Sequence, residues 1–167
     1  MLTEFLGNDL SKISNELDKL LMLIPAGSQI TPELIEENIG ISKDFNNFEL
    51  QKAIGDRNVE KAFRIIQYFG QNQKNHPVIV TCAILYGFFT KVMKYHALTN
   101  KKDAARSLGI SPFFLDDYAV AAQNYPMKKV SSIISTIREV DLKGKGVGAA
   151  HISEADLLKE LLIKIFN

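Results

Sequence analysis

The stretch His76-Pro77-Val78-Ile79-Val80-Thr81-Cys82-Ala83-Ile84-Leu85-Tyr86-Gly87-Phe88-Phe89-Thr90-Lys91-Val92-Met93 decides the fold. The proline is well placed to open a helix, and the pattern predicts one running to about Leu98. Apolar residues sit on nearly every face of that helix, the signature of an element at the centre of a bundle and covered by its neighbours. The continuous apolar run from Val78 to Phe89 is broken by Thr81 and Gly87 and stopped by Lys91. It falls short of the ~20 residues that a membrane span needs, so a soluble protein is expected, and the lone cysteine fits a cytoplasmic one.

Working outward, helical spacing dominates. Leu10, Ile13, Leu17, Leu20 and Leu21 recur at helical intervals, with Asp9, Lys12, Glu16 and Lys19 on other faces, until Pro25-Ala26-Gly27-Ser28 ends the element. Thr31-Pro32-Glu33 reads as a cap followed by a first-turn proline, and Gly40 as the stop of that short helix. A connector over 41–47 leads to a helix over 48–54, then to one capped by Asn58 and running through Tyr68.

Beyond the central helix, a short helix over 102–108 ends at Gly109, and Ser111-Pro112 begins the next, to about Asn124. Pro126 opens another, with Met127, Val130, Ile134 and Ile137 on one stripe, and Lys143 to Gly148 reads as a loop or frayed end. Ser153 with Asp156 three residues on is a capping arrangement for a last helix. That helix carries Leu157, Leu158, Leu161, Leu162, Ile165 and Phe166. Its stripe is wider than one contact requires, which hints at an additional partner surface. No alternating run long enough for a strand interrupts the series, so the fold class is all-α. The division expected is a small helical domain over 1–45 and a helical bundle over 46–167.

Composition narrows function. The chain has 167 residues, 46% hydrophobic and 23% charged, with 20 basic against 19 acidic residues and a net charge of +1. A packed core is expected, and a balance this even argues against a protein whose main business is gripping phosphate backbones, without excluding a local patch. One cysteine, Cys82, gives neither a disulfide framework nor a zinc spacing and fits a small buried core residue.

Catalytic chemistry is not visible. His76, His96 and His151 are far apart and none has a ligand-like neighbour, so no metal or cofactor is expected. The acid pairs Glu36-Glu37 and Asp116-Asp117 point about 100° apart on a helix and suit a solvated face. The loop from Lys143 to Gly148 lacks the order of a phosphate-binding loop. Ala104 to Gly109 followed by Ser111 and Leu115 has the spacing of a helix-turn-helix. Its second helix would offer Phe113, Phe114, Asp116, Asp117 and Tyr118, and carboxylates there are repelled by phosphates. A DNA-binding regulator is therefore the rival reading, not the leading one.

The order of the elements carries a resemblance. Gly7-Asn8-Asp9-Leu10 through Leu20, then Ile30-Thr31, an acidic helix, and a junction at Phe45 to Phe48 resemble the lid of the delta subunit of the bacterial DNA polymerase III clamp loader. Ala53-Ile54-Gly55-Asp56-Arg57-Asn58 through Ala62 resembles the first hairpin of that family's collar. Ser111-Pro112-Phe113 and Asp141-Leu142-Lys143-Gly144 match further landmarks. The resemblance implies a non-catalytic subunit that assembles through its collar with the ATPase and delta-prime subunits. It implies contact with the sliding clamp only through an N-terminal domain, which precedes the lid and is expected to be absent from this chain, since Met1 falls at the lid's start. DNA contact would be indirect. ATPase relatives place an arginine three residues after the glycine that starts the lid helix; the position here is Leu10, which cannot contact a phosphate. Tyr86, Phe89, Tyr95, Leu157 and Phe166 are candidate partner contacts, with burial inside the bundle the stronger reading for each.

Overall fold

The computed structural model describes residues 10–25, 27–31, 34, 35, 38, 45–148 and 152–167, with Lys12 described in its backbone alone. Gly7, Asn8, Pro32, Glu33, Glu36, Glu37, Gly40 and His151 lie outside the described residues. All regular structure among the described residues is helical, and the protein is all-α. The chain divides into two compact units, Met1–Phe45 and Asn46–Asn167.

In the first unit, helix α1 spans Leu10–Leu23. Leu20 is buried with Ile35, and Ile13, Leu17 and Leu34 pack around them. Leu10 and Leu21, expected on the same stripe, are exposed instead. The Thr31 hydroxyl accepts the Leu34 amide at 3.3 Å, the cap expected at that threonine.

The second unit holds α2 (Asn47–Gly55), α3 (Val59–Gln71), α4 (Val78–Ala97), α5 (Ala104–Leu108), a 3₁₀ turn (Pro112–Phe114), α6 (Leu115–Asn124), α7 (Met127–Gly144) and α8 (Glu154–Phe166). Local chemistry sets the helix ends. Asn46 Oδ1 accepts the amides of Phe48 and Glu49 at 2.9 and 3.0 Å, and Asn58 Oδ1 accepts that of Lys61 at 3.0 Å. Gly109, at φ 64°, is the left-handed residue that ends α5. Ser153 both accepts the Asp156 amide at 3.1 Å and donates to its carboxylate at 2.6 Å.

Helix α4 is the element the others share, contacting α2, α5, α6, α7 and α8, with α7 running along it most extensively. Val78, Thr81, Cys82, Leu85, Phe88, Phe89 and Val92 form its buried face. The all-round burial expected from composition does not occur. Ile79, Val80 and Tyr86 remain exposed, because α6, α7 and α8 fill one side and leave the other uncovered. By length and composition α4 is apolar enough to cross a membrane, but its packing makes it the core helix of a bundle. Burial pushes the Cys82 thiol up to about 12, well above the ordinary thiol value, so it stays protonated at neutral pH.

Helix α8 lies against α3 and α7, and Leu157, Leu158, Leu161, Leu162 and Ile165 are all buried. The breadth of its stripe is accounted for by two helices packed on it, which corrects the suggestion of a further partner surface there. On α7 the buried stripe is Val130, Ile133, Ile137 and Val140, whereas Met127 is exposed. Lys143 and Gly144, expected in a loop, are the last residues of α7.

Truncating Leu161 to alanine removes a side chain that is 1% exposed and should cost about 3 kcal/mol. Leu161→Lys or Leu162→Lys should unfold the bundle by burying an unpaired charge. Circular dichroism melts superimposing on the parent would contradict this placement.

Candidate assembly surface

The joint of the bundle is the turn between α2 and α3. Arg57 takes a left-handed φ of 54° there, a costly conformation for a side chain of its size. The turn is secured from three sides. Tyr125, fully buried, donates its hydroxyl to the Ile54 carbonyl at 2.8 Å. Asn124 donates its side-chain amide to the Gly55 carbonyl at 2.8 Å. The Arg57 guanidinium lies 5.4 Å from the Tyr125 ring centre and donates to the Phe166 carbonyl at 2.9 Å. His96 Nε2 is 2.9 Å from the Tyr125 carbonyl oxygen. Burial raises the Tyr125 phenol to about 12, the nearby Arg57 cation opposing it.

A second joint closes the other end. Pro77 offers α4 no side-chain cap, and the Glu154 carboxylate from the first turn of α8 accepts the Val78 amide at 2.9 Å instead. Nearby, Lys143 donates to both Glu160 oxygens at 2.7 and 2.9 Å, and Lys164 pairs with the same carboxylate at 2.8 Å. Hydrogen bonds from Lys143 and then Lys164 hold the Glu160 carboxyl below the ordinary glutamate value.

The residues singled out from sequence fall into two groups. Ser111 precedes the 3₁₀ turn that Pro112 opens, and the half-buried Phe113 ring meets Phe114 edge-on at 5.1 Å. Asp141 pairs with Lys145 at 2.6 Å, and a Cβ on Gly144 would lie 3.0 Å from Val78. With Lys143 these are joints of the bundle. Leu10 is 79% exposed at the start of α1. Of the aromatic and aliphatic contacts, Phe89 is fully buried against Tyr125 and Leu157 is 2% exposed. Both are removed as partner contacts, because the core already encloses them. Phe166 is half-buried against Phe63. Tyr95 is half-buried, with the Lys101 ammonium 3.7 Å from its ring centre. Tyr86 is 51% exposed.

Tyr86 belongs to a continuous outer face of α4. Ile79, Val80, Ala83, Tyr86, Gly87, Thr90 and Lys94 fall on the side opposite the buried stripe at helical spacing. A Cβ on Gly87 would meet nothing within 4 Å. Sequence reasoning missed this face, along with Tyr125 and Glu154; the open side of an apolar helix carries no sequence mark of its own.

Neither catalysis nor base reading finds support in the geometry. Among the described residues no group of three or more His, Cys, Asp or Glu is placed to hold a metal ion. A shallow hollow of about 420 Å³ is lined by Glu60, Phe63, Arg64, Ile66, Gln67 and Lys159. Its charged groups are already paired, Arg64 with Glu60 and Lys159 with Asp156. In the helix-turn-helix rival the first helix has only five residues, and the second buries Tyr118, Ala121 and Ala122 and pairs Asp117 with Lys52 at 2.6 Å.

Residues 44–163 match the family described as the DNA polymerase III delta subunit, C-terminal domain. The chain belongs to that family. The delta match spans α2 through nearly all of α8 and coincides with the bundle. No curated protein sequence matches the chain significantly. Among solved structures, the chain is similar in fold to the Bacillus subtilis DNA clamp loader delta protein YqeN, with a TM-score of 0.65 at 22% identity. That likeness covers 99% of this chain and 48% of the other, so this delta-family chain spans about half the length of its structural relative.

Tyr125→Phe removes this buried hydrogen bond, leaving the Ile54 carbonyl with the Arg57 amide at 3.0 Å, and should cost about 0.5–1.5 kcal/mol, read as a lowered denaturation midpoint. The Glu160 contribution has a definite sign. Its folded value is depressed, so the stabilisation is complete above the ordinary value of 4.5 and is lost as pH falls through the folded one. Glu160→Gln should therefore melt below the parent at neutral pH and converge with it in acid; a constant difference between the two would contradict the pairing.

Proposed function

We propose that this chain is the lid and collar of a clamp-loader delta subunit, with residues 1–45 as the lid and 46–167 as the collar. It is a non-catalytic assembly element of the replication machinery and works in the cytoplasm. Its partners are the ATPase and delta-prime subunits, met through the collar. Contact with the sliding clamp belongs to the N-terminal domain of a complete delta subunit. The observation that carries this reading is the delta C-terminal family match over nearly the whole bundle.

The outer face of α4 is the collar surface best suited to a neighbouring collar helix. Ala83 and Gly87 are four residues apart, and small side chains at that interval let a second helix approach closely. Ile79, Val80 and Tyr86 flank them with exposed apolar area, and an aromatic beside a close helix crossing is a strong anchor. Phe166, also half-buried, is less suited, since it packs on Phe63 and its carbonyl is held by Arg57.

Co-elution of the purified chain with its ATPase and delta-prime subunits on size exclusion tests the reading. The parent should form a stable complex. Gly87→Gln should abolish it while melting no lower than the parent, because the added side chain enters open space and glycine is about 1 kcal/mol worse than ordinary residues in a helix. Tyr86→Asp should behave likewise. Variants that co-elute as the parent does would move the contact off α4, and a folded parent that never co-elutes would overturn the assembly role.

A further inference from the structure

The near-neutral total charge conceals two oppositely charged units. Residues 1–45 carry 3 basic and 8 acidic side chains, and residues 46–167 carry 17 and 11. Seven of the seventeen cations of the bundle are matched. Lys52, Lys61, Arg64, Lys143, Lys145, Lys159 and Lys164 each sit within 4.0 Å of a carboxylate. Of the ten others, five fall together at one corner. From the last turns of α4 to α5, Lys91, Lys94, Lys101, Lys102 and Arg106 face a single acid, Asp103, and none of the five forms an ion pair among the described residues. Lys94 also complements the C-terminal end of the α4 dipole, but Lys101, Lys102 and Arg106 lie beyond that helix.

The corner is ordered. Lys101 donates to the Tyr95 carbonyl at 3.3 Å and covers its ring, and Asn100 Oδ1 accepts the Lys102 amide at 2.9 Å. Like charges held together in a fixed loop repel one another unless an anion lies over them. We propose that this α4–α5 corner binds the phosphate backbone of nucleic acid, without reading sequence. The surroundings favour phosphate over an acidic protein. Thr99, Asn100, Ser107 and Gly109 are exposed between the cations, and no large apolar side chain is exposed from residue 91 to 119. A protein interface needs a buried apolar or aromatic anchor, whereas phosphate-binding surfaces are polar and cationic throughout. The α6 acids do not cancel the corner: Asp117 is held by Lys52, and Asp116 is one charge against five.

This inference stands apart from the assembly reading, since it is tested on the chain alone. Anisotropy of a short fluorescein-labelled DNA duplex, titrated with the full chain at several salt concentrations, should give a dissociation constant on the order of 10⁻⁵ M that weakens steeply with salt. Lys101→Glu/Lys102→Glu should weaken binding at least about tenfold and flatten the salt slope by about 2. Lys74→Glu/Lys128→Glu makes the same charge change elsewhere and should leave binding within about twofold, with circular dichroism confirming that both variants fold. Equal losses in the two pairs would overturn the assignment, as would salt-independent binding or none. Labelled polyglutamate binding the parent as tightly as the duplex would also overturn it, in favour of an acidic protein partner.

Discussion

The hydroxyl of Tyr125 meets the Ile54 carbonyl inside the core, and the bundle is organised around that bond. It joins two segments about seventy residues apart in sequence, at a turn where a non-glycine residue, Arg57, adopts a left-handed backbone. The carbonyl also accepts the Arg57 amide at 3.0 Å, so the bond chiefly satisfies the buried phenol, which would be costly without an acceptor. Around the pair, Phe89 packs edge-on to the ring at 5.6 Å, Arg57 covers it and Asn124 takes the adjacent Gly55 carbonyl. The α2–α3 hairpin, the end of α6 and the start of α7 are thereby held in one register.

Helix α4 is positioned from that corner and from the opposite end. His96, in its last turn, reaches the Tyr125 carbonyl, while Glu154 supplies the amide acceptor that Pro77 cannot. Both ends of the helix are thus tied to other elements by polar contacts, and one face is buried by α6, α7 and α8. Much of the other face is left exposed. Its amino-terminal half presents apolar and small residues, and its carboxy-terminal half runs into the unpaired cations. The two functional proposals therefore occupy successive parts of one helix, and they differ in chemistry: close packing in the first half, long-range electrostatics in the second.

Much of this was legible in the sequence. Periodicity located the helices, and Asn58 and Ser153 marked starts because short polar side chains satisfy free amides locally. The landmarks Asp141, Lys143 and Gly144 were recognisable as a pattern. Asp141 pairs locally with Lys145, but the roles of Lys143 and Gly144 were not legible, since their partners Glu160 and Val78 lie 17 or more residues away in sequence. The candidate contacts divided for the same reason. Phe89 and Tyr86 are three residues apart on a helix with few polar markers before Lys91, so hydrophobicity alone could not say which pointed inward.

What the sequence by itself determined is the all-helical class, the positions of most elements and the absence of any recognisable catalytic motif. These rest on local interactions: side-chain periodicity, capping and backbone preference act within a few residues. What only the tertiary structure decided is which apolar face stays open and which cations stay unpaired. Both are differences between a side chain and whatever long-range neighbour does or does not cover it. Lys52 is neutralised by Asp117, 65 residues distant, whereas Lys102 forms no ion pair among the described residues. Burial and pairing are properties of the packed chain, and no local pattern encodes them.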